Sequence, residues 1–432
     1  MTDPTTDTPS ASISEGDPIP EGTLETAVGF AAAQAILKPR KARPFYGRHP
    51  WVLDSAIHHI EGEAADGDVV DLMTDTGKFV ARGIVNSQSR IRVRLYTWDI
   101  HQALDEAFWR GRLETAVALR TTLGLDKRDG ACRLVFSEAD GLSGLVVDRL
   151  GEWLSVQVTG LGIECRLEVI VDVLKELVHP RGIFIRTEKG IASAEGVQLC
   201  DGLIWGEAPS GPAFITENGI RYGIDLAEGQ KTGFYIDQRE NRLAAARYMR
   251  DRRVLDMFCY SGGFSLNAAV HGSAREIYGF DSSAKAIALA QANAELNGVT
   301  VAKFEEADCF KALDALKVNR ERFGAVILDP PKFVRSRSSL DDALRAYHKL
   351  NRMAIDVLEP GGILVTCSCS GHVTREDFFH MLLGVAEQSK RGIQVLETRG
   401  ASPDHPTSVT CLESEYLKCF ICRVVYFPRR TR

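Results

Sequence analysis

The sequence predicts a multidomain α/β protein: a small β-barrel, an α+β middle domain and a C-terminal doubly wound domain. Three observations lead there. At 432 residues the chain is too long for one ordinary domain and long enough for two or three, each with its own core. Residues 66–99 show short alternating strands broken by Asp-Gly and Thr-Gly turns, the pattern of a small barrel. From Val254 onward strand and helix patterns alternate regularly, which signals βα units around a parallel sheet.

Residues 1–37 contain no Lys or Arg but carry Asp3, Asp7, Glu15, Asp17, Glu21 and Glu25 among Thr, Ser and Pro. This composition predicts a disordered acidic tail. Its six acids account for the whole formal charge of −6, so the overall acidity does not argue against a nucleic-acid partner. No basic segment precedes the apolar stretch GFAAAQAIL, and no run of about 18 apolar residues exists to span a membrane. The expectation is a cytoplasmic protein with no membrane partner.

The barrel is expected over residues 38–105. It opens with KPRKARPFYGR, five basic residues and no acid, which reads either as a solvated linker or as a phosphate-facing edge. In SRIRVRLYTW, Arg90, Arg92 and Arg94 alternate with Ile91, Val93 and Leu95, so three guanidinium groups share one strand face. Such a row is either solvated or able to span phosphates, and it supplies the candidate RNA-binding residues.

A helical stretch near 101–123, the strands of RLVFSEADGLSGLVVDRLGEWLSVQV, the amphipathic ECRLEVIVDVLKELV and the strand GIFIRTE predict an α+β middle domain over 106–210. It carries no obvious chemistry. The last domain, 211–432, starts with a hairpin marked by Asn218-Gly219, then a loop entering the helix RENRLAAARYM. Its strands are RVLDMF, EIYGFD, AKFEEAD, FGAVILDPP, GGILVTCS, GIQVLETR and YLKCFICRVVYF, with helices between all but the final pair.

Open α/β sheets bind ligands beyond the carboxyl ends of their strands. The first strand ends in LDMFCYSGGF, where Asp256 precedes a loop whose Gly262 and Gly263 allow close backbone approach to a ligand. G-x-G-x-x-G is absent, and an acid already on the strand suits a cationic ligand part better than a pyrophosphate. The second strand ends in Asp281, able to accept from both hydroxyls of a ribose. The third ends at Asp308, placed to accept from an adenine amino group. One strand-end Asp is commonly a helix cap, but three in order after a glycine loop indicate a cofactor site. In ILDPPKF, Pro330 and Pro331 remove two N–H donors and stiffen the turn that carries Asp329.

The fifth strand ends in LVTCSCSGHV, with Cys367 and Cys369 on the same strand face. Ten cysteines in a long chain without an export signal are expected to be reduced. The C-x-C pair with CLESEYLKCFIC downstream imitates a zinc site, but strand ends and apolar neighbours surround each candidate, so no metal is expected.

The series D-x-F-x-x-x-G-G-F, Asp281, Asp308 and DPPKF resembles a Rossmann-like class I methyltransferase that uses S-adenosylmethionine. More narrowly, RHPWV, FSEADGLSGLVVDR, GQKTGFYIDQRENR, RRVLDMFCYSGGF, DPPKF and SCSG together resemble the bacterial 23S ribosomal RNA large-subunit methyltransferase I family, whose members make 5-methylcytosine. The likeness spans nearly everything after residue 37. It implies a PUA-like RNA-binding barrel and a ribosomal RNA partner, naked or in an assembling subunit; the sequence leaves the oligomeric state open, a homodimer among the options. It also implies cofactor contacts from Phe258, Gly262, Gln238 and Arg239 beside the three aspartates.

Cytosine C5 is a poor nucleophile, and a thiolate adding to C6 makes it reactive. Cys369 occupies the cysteine of SCSG and is the expected nucleophile, while Cys367 fits the TCS pattern of other RNA 5-methylcytosine enzymes. Asp329 is expected to hydrogen-bond the cytosine edge, Lys332 to meet a phosphate or lower a thiol pKa, and His405 to shuttle a proton. The geometry demands a flipped or single-stranded cytidine. Two other readings stand beside this one: methylation of an exocyclic or ring nitrogen, which needs no cysteine, and a non-catalytic RNA-binding assembly factor.

Overall fold

The computed structural model describes residues 29–224, 226, 234–333 and 340–426. The acidic segment up to residue 28 and the loop 227–233 lie outside them.

The first sheet has six strands in the spatial order Trp51–Leu53, Ile91–Thr97, Phe79–Val85, Val69–Met73, Ala33–Leu37, Ile57–Glu61. Ala33–Leu37 corrects the expected tail boundary. This strand pairs on both sides, with Val69–Met73 and Ile57–Glu61, and it buries Ala33, Ala35 and Leu37. The alternation A-Q-A-I-L, with apolar residues at every second position, is a half-buried strand signal that composition alone obscured.

The middle sheet has five strands, Gly202–Gly206, Gly182–Arg186, Trp153–Val158, Leu145–Leu150 and Ala131–Phe136, covered by helices Glu106–Thr122 and Leu167–Val178. Its apolar residues share one cluster with Val69, Ile84 and Tyr96 of the first sheet. On the other side, Ala131, Leu150, Trp153 and Phe184 pack with the hairpin Ala213–Glu217/Ile220–Ile224 and with Cys259, Leu266 and Ile287 of the last domain. The hairpin turns at Asn218 (φ 52°) and Gly219 (φ 75°), two left-handed residues as an Asn-Gly turn requires.

The last domain holds strands β1 (Arg253–Met257), β2 (Glu276–Asp281), β3 (Ala302–Glu306), β4 (Phe323–Leu328), β5 (Leu358–Ser368), β6 (Gly392–Arg399) and β7 (Lys418–Val425). Its helices are α1 (Arg239–Ala246), α2 (Gly263–Val270), α3 (Ala284–Leu296), α4 (Cys309–Val318), α5 (Leu340–Val357) and α6 (Arg375–Ser389). The strand order is 3-2-1-4-5-7-6, with β7 antiparallel to both neighbours. Successive core residues of each strand go to opposite faces. Leu255, Met257, Val326 and Leu328 join α4, α5 and α6, while Val254, Ala325, Ile327 and Cys367 join α1 and α2. Cys419 and Cys422 stand in C-x-x-C spacing, yet the same alternation sends them to opposite faces of the sheet, too far apart in direction to share a metal or a disulfide.

Candidate active site

The loop from β1 to α2 is built with strain. Phe258 (φ 68°) and Tyr260 (φ 45°) hold left-handed backbone that costs side-chain-bearing residues about 1–2 kcal/mol each. Gly262 (φ 81°) meets the same demand without a Cβ, and its helix follows at once. Gly263 serves differently from the expectation, because a Cβ there would stand 2.6 Å from Nε of Arg242, so its absence permits packing of α2 on α1.

Asp256 is buried, and its Oδ2 accepts from the Ser265 hydroxyl (2.6 Å) and backbone N–H (3.1 Å). Among the described residues its Oδ1 has no hydrogen-bond partner. Burial pushes its pKa up to about 7, against the pull of the Ser265 donors. A desolvated carboxylate oxygen at a strand end calls for a donor or a cation from a ligand, so the residues present fit S-adenosylmethionine. Asp281 accepts from Tyr260 N–H (3.1 Å) and Ser283 N–H (3.0 Å), which fixes its carboxylate and leaves lone pairs for further donors. Asp308 is exposed and caps α4 by accepting from Lys311 N–H at 2.9 Å.

Gln238 and Arg239, neighbours in sequence, part company. Gln238 is buried and donates from Nε2 to Asp329 Oδ1 at 2.9 Å. Arg239 is not beside the strand ends as expected. Its guanidinium donates to the carbonyl of Ala131 in the middle domain and pairs with Asp404 (3.3 Å) and Glu217 (3.8 Å), so it clamps domains together. Arg242 completes that clamp on Glu217 at 2.7 Å.

The two thiols separate just as sharply. Cys367 is fully buried in the core opposite Cys419, and burial with that neighbouring thiol raises its pKa well above the ordinary value. This contradicts a nucleophilic role for Cys367, since the thiolate is the reactive form. Cys369 is half-buried beyond the end of β5, its Sγ 3.9 Å from the carbonyl of Pro330 in the Asp329-Pro330-Pro331 turn. The parallel register Leu328↔Thr366 brings these two strand ends together. Lys332 is exposed on the same turn, next to residues 334–339 outside the described set.

Around Cys369 stand residues that the sequence did not announce. Lys418, buried at the start of β7, donates to the carbonyls of Ser370 and Tyr416 (2.8 Å), and burial lowers its pKa to about 8, partly offset by Cys369 and Glu415. Tyr416 donates to Asp237 Oδ2 at 2.6 Å, and the Tyr235 and Tyr260 rings meet edge to face at 5.1 Å. The only sequence signal for them was their position in or beside stretches already singled out, YIDQREN, LDMFCYSGGF and YLKCFIC.

Three expected residues sit elsewhere. His405 is buried between domains, its Nδ1 3.0 Å from Asp404 and its ring against Phe136. Arg94 is buried and pairs with Glu195 (3.0 Å) and Glu138 (3.4 Å), which contradicts a phosphate-binding role; Arg92 pairs with Asp54 at 2.8 Å. Arg90 alone is exposed, one residue before its strand begins. His49, Cys411 and Glu413 come within 4.8 Å of one another. His49 Nδ1 accepts from Trp51 N–H at 3.2 Å, however, which puts the imidazole proton on Nε2, facing Glu413 at 3.5 Å. That tautomer makes a hydrogen bond across domains, not a metal ligand. RHPWV is thereby explained as a joint, with Trp51 Nε1 donating to Glu138 at 2.9 Å.

Residues 35–98 match the model of a PUA-like domain and residues 200–410 that of an S-adenosylmethionine-dependent methyltransferase. A ribosomal RNA large subunit methyltransferase I of Klebsiella pneumoniae is 37% identical over 90% of this chain and 98% of its own. The protein of that name from Citrobacter koseri is 37% identical over 91% of this chain and all of its own. The chain belongs to the ribosomal RNA large subunit methyltransferase I family. It is a methyltransferase whose cofactor is S-adenosylmethionine. The fold agrees with that of SMU.776, a protein described as a methyltransferase and solved in complex with SAH, at TM-score 0.78 over 90% of this chain and 99% of that one, with 20% identity. A Streptococcus mutans protein described as a SAM-dependent methyltransferase aligns at TM-score 0.77, 20% identity and the same coverage. Among the described residues no helix is long and apolar enough to cross a membrane.

Proposed function

We propose that this enzyme methylates C5 of a cytidine in 23S ribosomal RNA through a covalent adduct between Cys369 and C6. One observation carries the reading. The accessible thiol of the C-x-C pair, and not the buried one, stands beside the Asp329-Pro330-Pro331 turn, next to the strand ends that suit the cofactor.

Bound S-adenosylmethionine supplies an electrophilic methyl group on a sulfonium sulfur. Asp256, Phe258, Gly262, Asp281 and Asp308 would hold it. The Cys369 thiolate adds to C6, forming an S–C bond and moving an electron pair onto C5; C5 would then take the methyl group as its bond to the sulfonium sulfur breaks, the electron pair staying on that sulfur as a neutral thioether. A base removes the C5 proton, the C5–C6 double bond reforms and the thiolate leaves with its electron pair. Asp329 holds the cytosine edge. The rings of Tyr235, Tyr260 and Tyr416 offer apolar faces for a base taken out of its stack. Lys418 and the exposed Lys332 supply positive charge near the thiolate and the RNA backbone.

The test is to incubate the purified enzyme with unmethylated 23S ribosomal RNA and labelled S-adenosylmethionine, digest the RNA and identify the labelled nucleoside by mass spectrometry. Labelled 5-methylcytidine is expected. A methylated adenine or guanine would instead assign the enzyme to nitrogen methylation and remove the role of Cys369.

A further inference from the structure

Asp329 is held by a chain of hydrogen bonds whose direction is fixed from its far end. Arg399, at the end of β6, donates from Nε to Asn241 Oδ1 at 3.0 Å. A guanidinium has no acceptor, so the Asn241 oxygen must face it. The Asn241 amide nitrogen therefore turns the other way, where it donates to the carbonyl of Gly400 (2.9 Å) and to Gln238 Oε1 (2.6 Å). A backbone carbonyl only accepts, so this second pin agrees with the first. With its oxygen occupied by Asn241, Gln238 has only its Nε2 for Asp329 Oδ1, at 2.9 Å. Arg399 is itself anchored by Glu397 (2.9 Å), which accepts from Tyr248 (2.7 Å). Gln238 and Asn241 are both buried, so water does not loosen the chain.

We infer that the Arg399–Asn241–Gln238 relay locks Asp329 as a charged hydrogen-bond acceptor and so makes the site select cytidine over uridine. The inference rests on the cytidine reading above. Cytosine and uracil share C5 and C6, and both accept a thiolate at C6. They differ at position 4, where cytosine presents an amino donor and uracil a carbonyl acceptor. An N–H aimed at a carboxylate favours its ionised form, and an ionised carboxylate only accepts. The locked Asp329 thus matches the amino group and opposes the carbonyl. A site built to bond one group rejects an analogue lacking it, because its buried polar atoms are left unpaired. In this role Gln238, Asn241 and Arg399 are positioning residues, and the cofactor contact expected of Gln238 is replaced by a contact to the base-reading acid.

Two substitutions release the lock without emptying the site. Gln238→Met keeps length and removes the donor. Asn241→Asp keeps the bond to Arg399 but cannot donate, which frees Gln238 to turn its oxygen toward Asp329. The measurement is kcat/KM on two short RNAs carrying either cytidine or uridine at the modified position, with S-adenosylmethionine affinity and thermal unfolding recorded for each protein. Both variants are expected to lose at least tenfold in the cytidine-to-uridine ratio. The double variant should be no worse than Gln238→Met alone, while cofactor affinity stays within a factor of about two. An unchanged ratio with lower activity on both RNAs makes the relay merely structural and overturns the inference. Loss of cofactor affinity in Gln238→Met overturns it in favour of cofactor binding. If the unsubstituted enzyme labels adenine or guanine, the cytidine reading itself fails and the lock with it. If it makes 5-methylcytidine and the variants keep their selectivity, only the lock fails.

Discussion

The strand ends of the C-terminal sheet and the arginine-bearing strand of the first sheet both invited a functional reading from residue type and spacing, and they fared differently. At the strand ends, topology decides where a side chain goes. Asp256, Asp281, Asp329 and Cys369 close successive strands of a parallel sheet and meet at one edge whatever the rest of the chain does. On the arginine strand, the alternation of Arg90, Arg92 and Arg94 fixes a face but not what that face meets. What it meets is Glu138 and Glu195, 44 and 101 residues downstream of Arg94, and Asp54, in the turn just past the strand beside it. Chemistry placed by topology is legible in a single sequence. Charge that is neutralised by distant partners is not.

The comparison breaks first, and with the largest effect, at the two thiols. Cys369→Ala should lower kcat by roughly 10⁴-fold or more, as loss of a covalent nucleophile does, with cofactor affinity unchanged. Cys367→Ala should keep activity within a few-fold and instead lose stability through the small cavity it leaves between β5 and β7. Equal loss in both variants, with cofactor binding intact, would mean that strand-end position does not mark the nucleophile.

The same contrast shows why the clamp between domains escaped notice. DQRENR and DHP looked like site motifs, yet Arg239 and His405 converge on Asp404, which also accepts from Arg133 N–H at 3.0 Å and Ser402 Oγ at 2.6 Å. Burial alone would raise the Asp404 pKa, but His405, Arg239 and Ser402 pull it far below the ordinary carboxylate range. Its folded-state pKa is depressed, so its contribution is present above the unfolded value and is lost as pH falls below it. Removing one partner of a buried charge network leaves the others uncompensated. Asp404→Ala should therefore cost about 3–5 kcal/mol by denaturant unfolding, with the product nucleoside of any folded enzyme unchanged.

Domain order, the hairpin at Asn218-Gly219 and all seven strands of the last sheet were legible because each rests on a local period or a turn residue. The strand Ala33–Leu37 carries a local alternation that the acidic composition before it obscured. The clamp has no such local signal, because its contacts cross more than a hundred residues, as when Arg120 reaches the carbonyl of Asp404 at 2.8 Å. Gln238 lies between these cases: its motif was legible, while its hydrogen bond to Asp329, 91 residues away, was not.

A smaller effect sharpens the reading of Asp256. Burial raises its folded pKa to about 7, so below that point the carboxyl is neutral and has no charge to offer a cationic ligand. S-adenosylmethionine affinity should rise with pH up to about 7 and level off above it, weakening roughly tenfold for each unit below. Calorimetric titrations between pH 5.5 and 8.5 measure this. Asp256→Asn should bind weakly with no such slope, and a slope that persists would move the titrating group elsewhere.

The smallest effect returns to the arginines and separates three that look alike in sequence. Arg90 is exposed, Arg92 is paired with an exposed acid, and Arg94 is buried between two acids. A phosphate contact releases counterions, so its loss reduces the slope of log affinity against log salt by about one. Arg90→Gln should weaken binding of a 23S ribosomal RNA fragment by a few-fold and lower that slope by no more than this amount. Arg94→Gln should leave the slope unchanged, because its charge already belongs to Glu138 and Glu195, and should lower the unfolding temperature instead. A slope reduced by Arg94→Gln and untouched by Arg90→Gln would mean that the buried pairs open when RNA binds. The strand face would then be the RNA-binding row its alternation suggested.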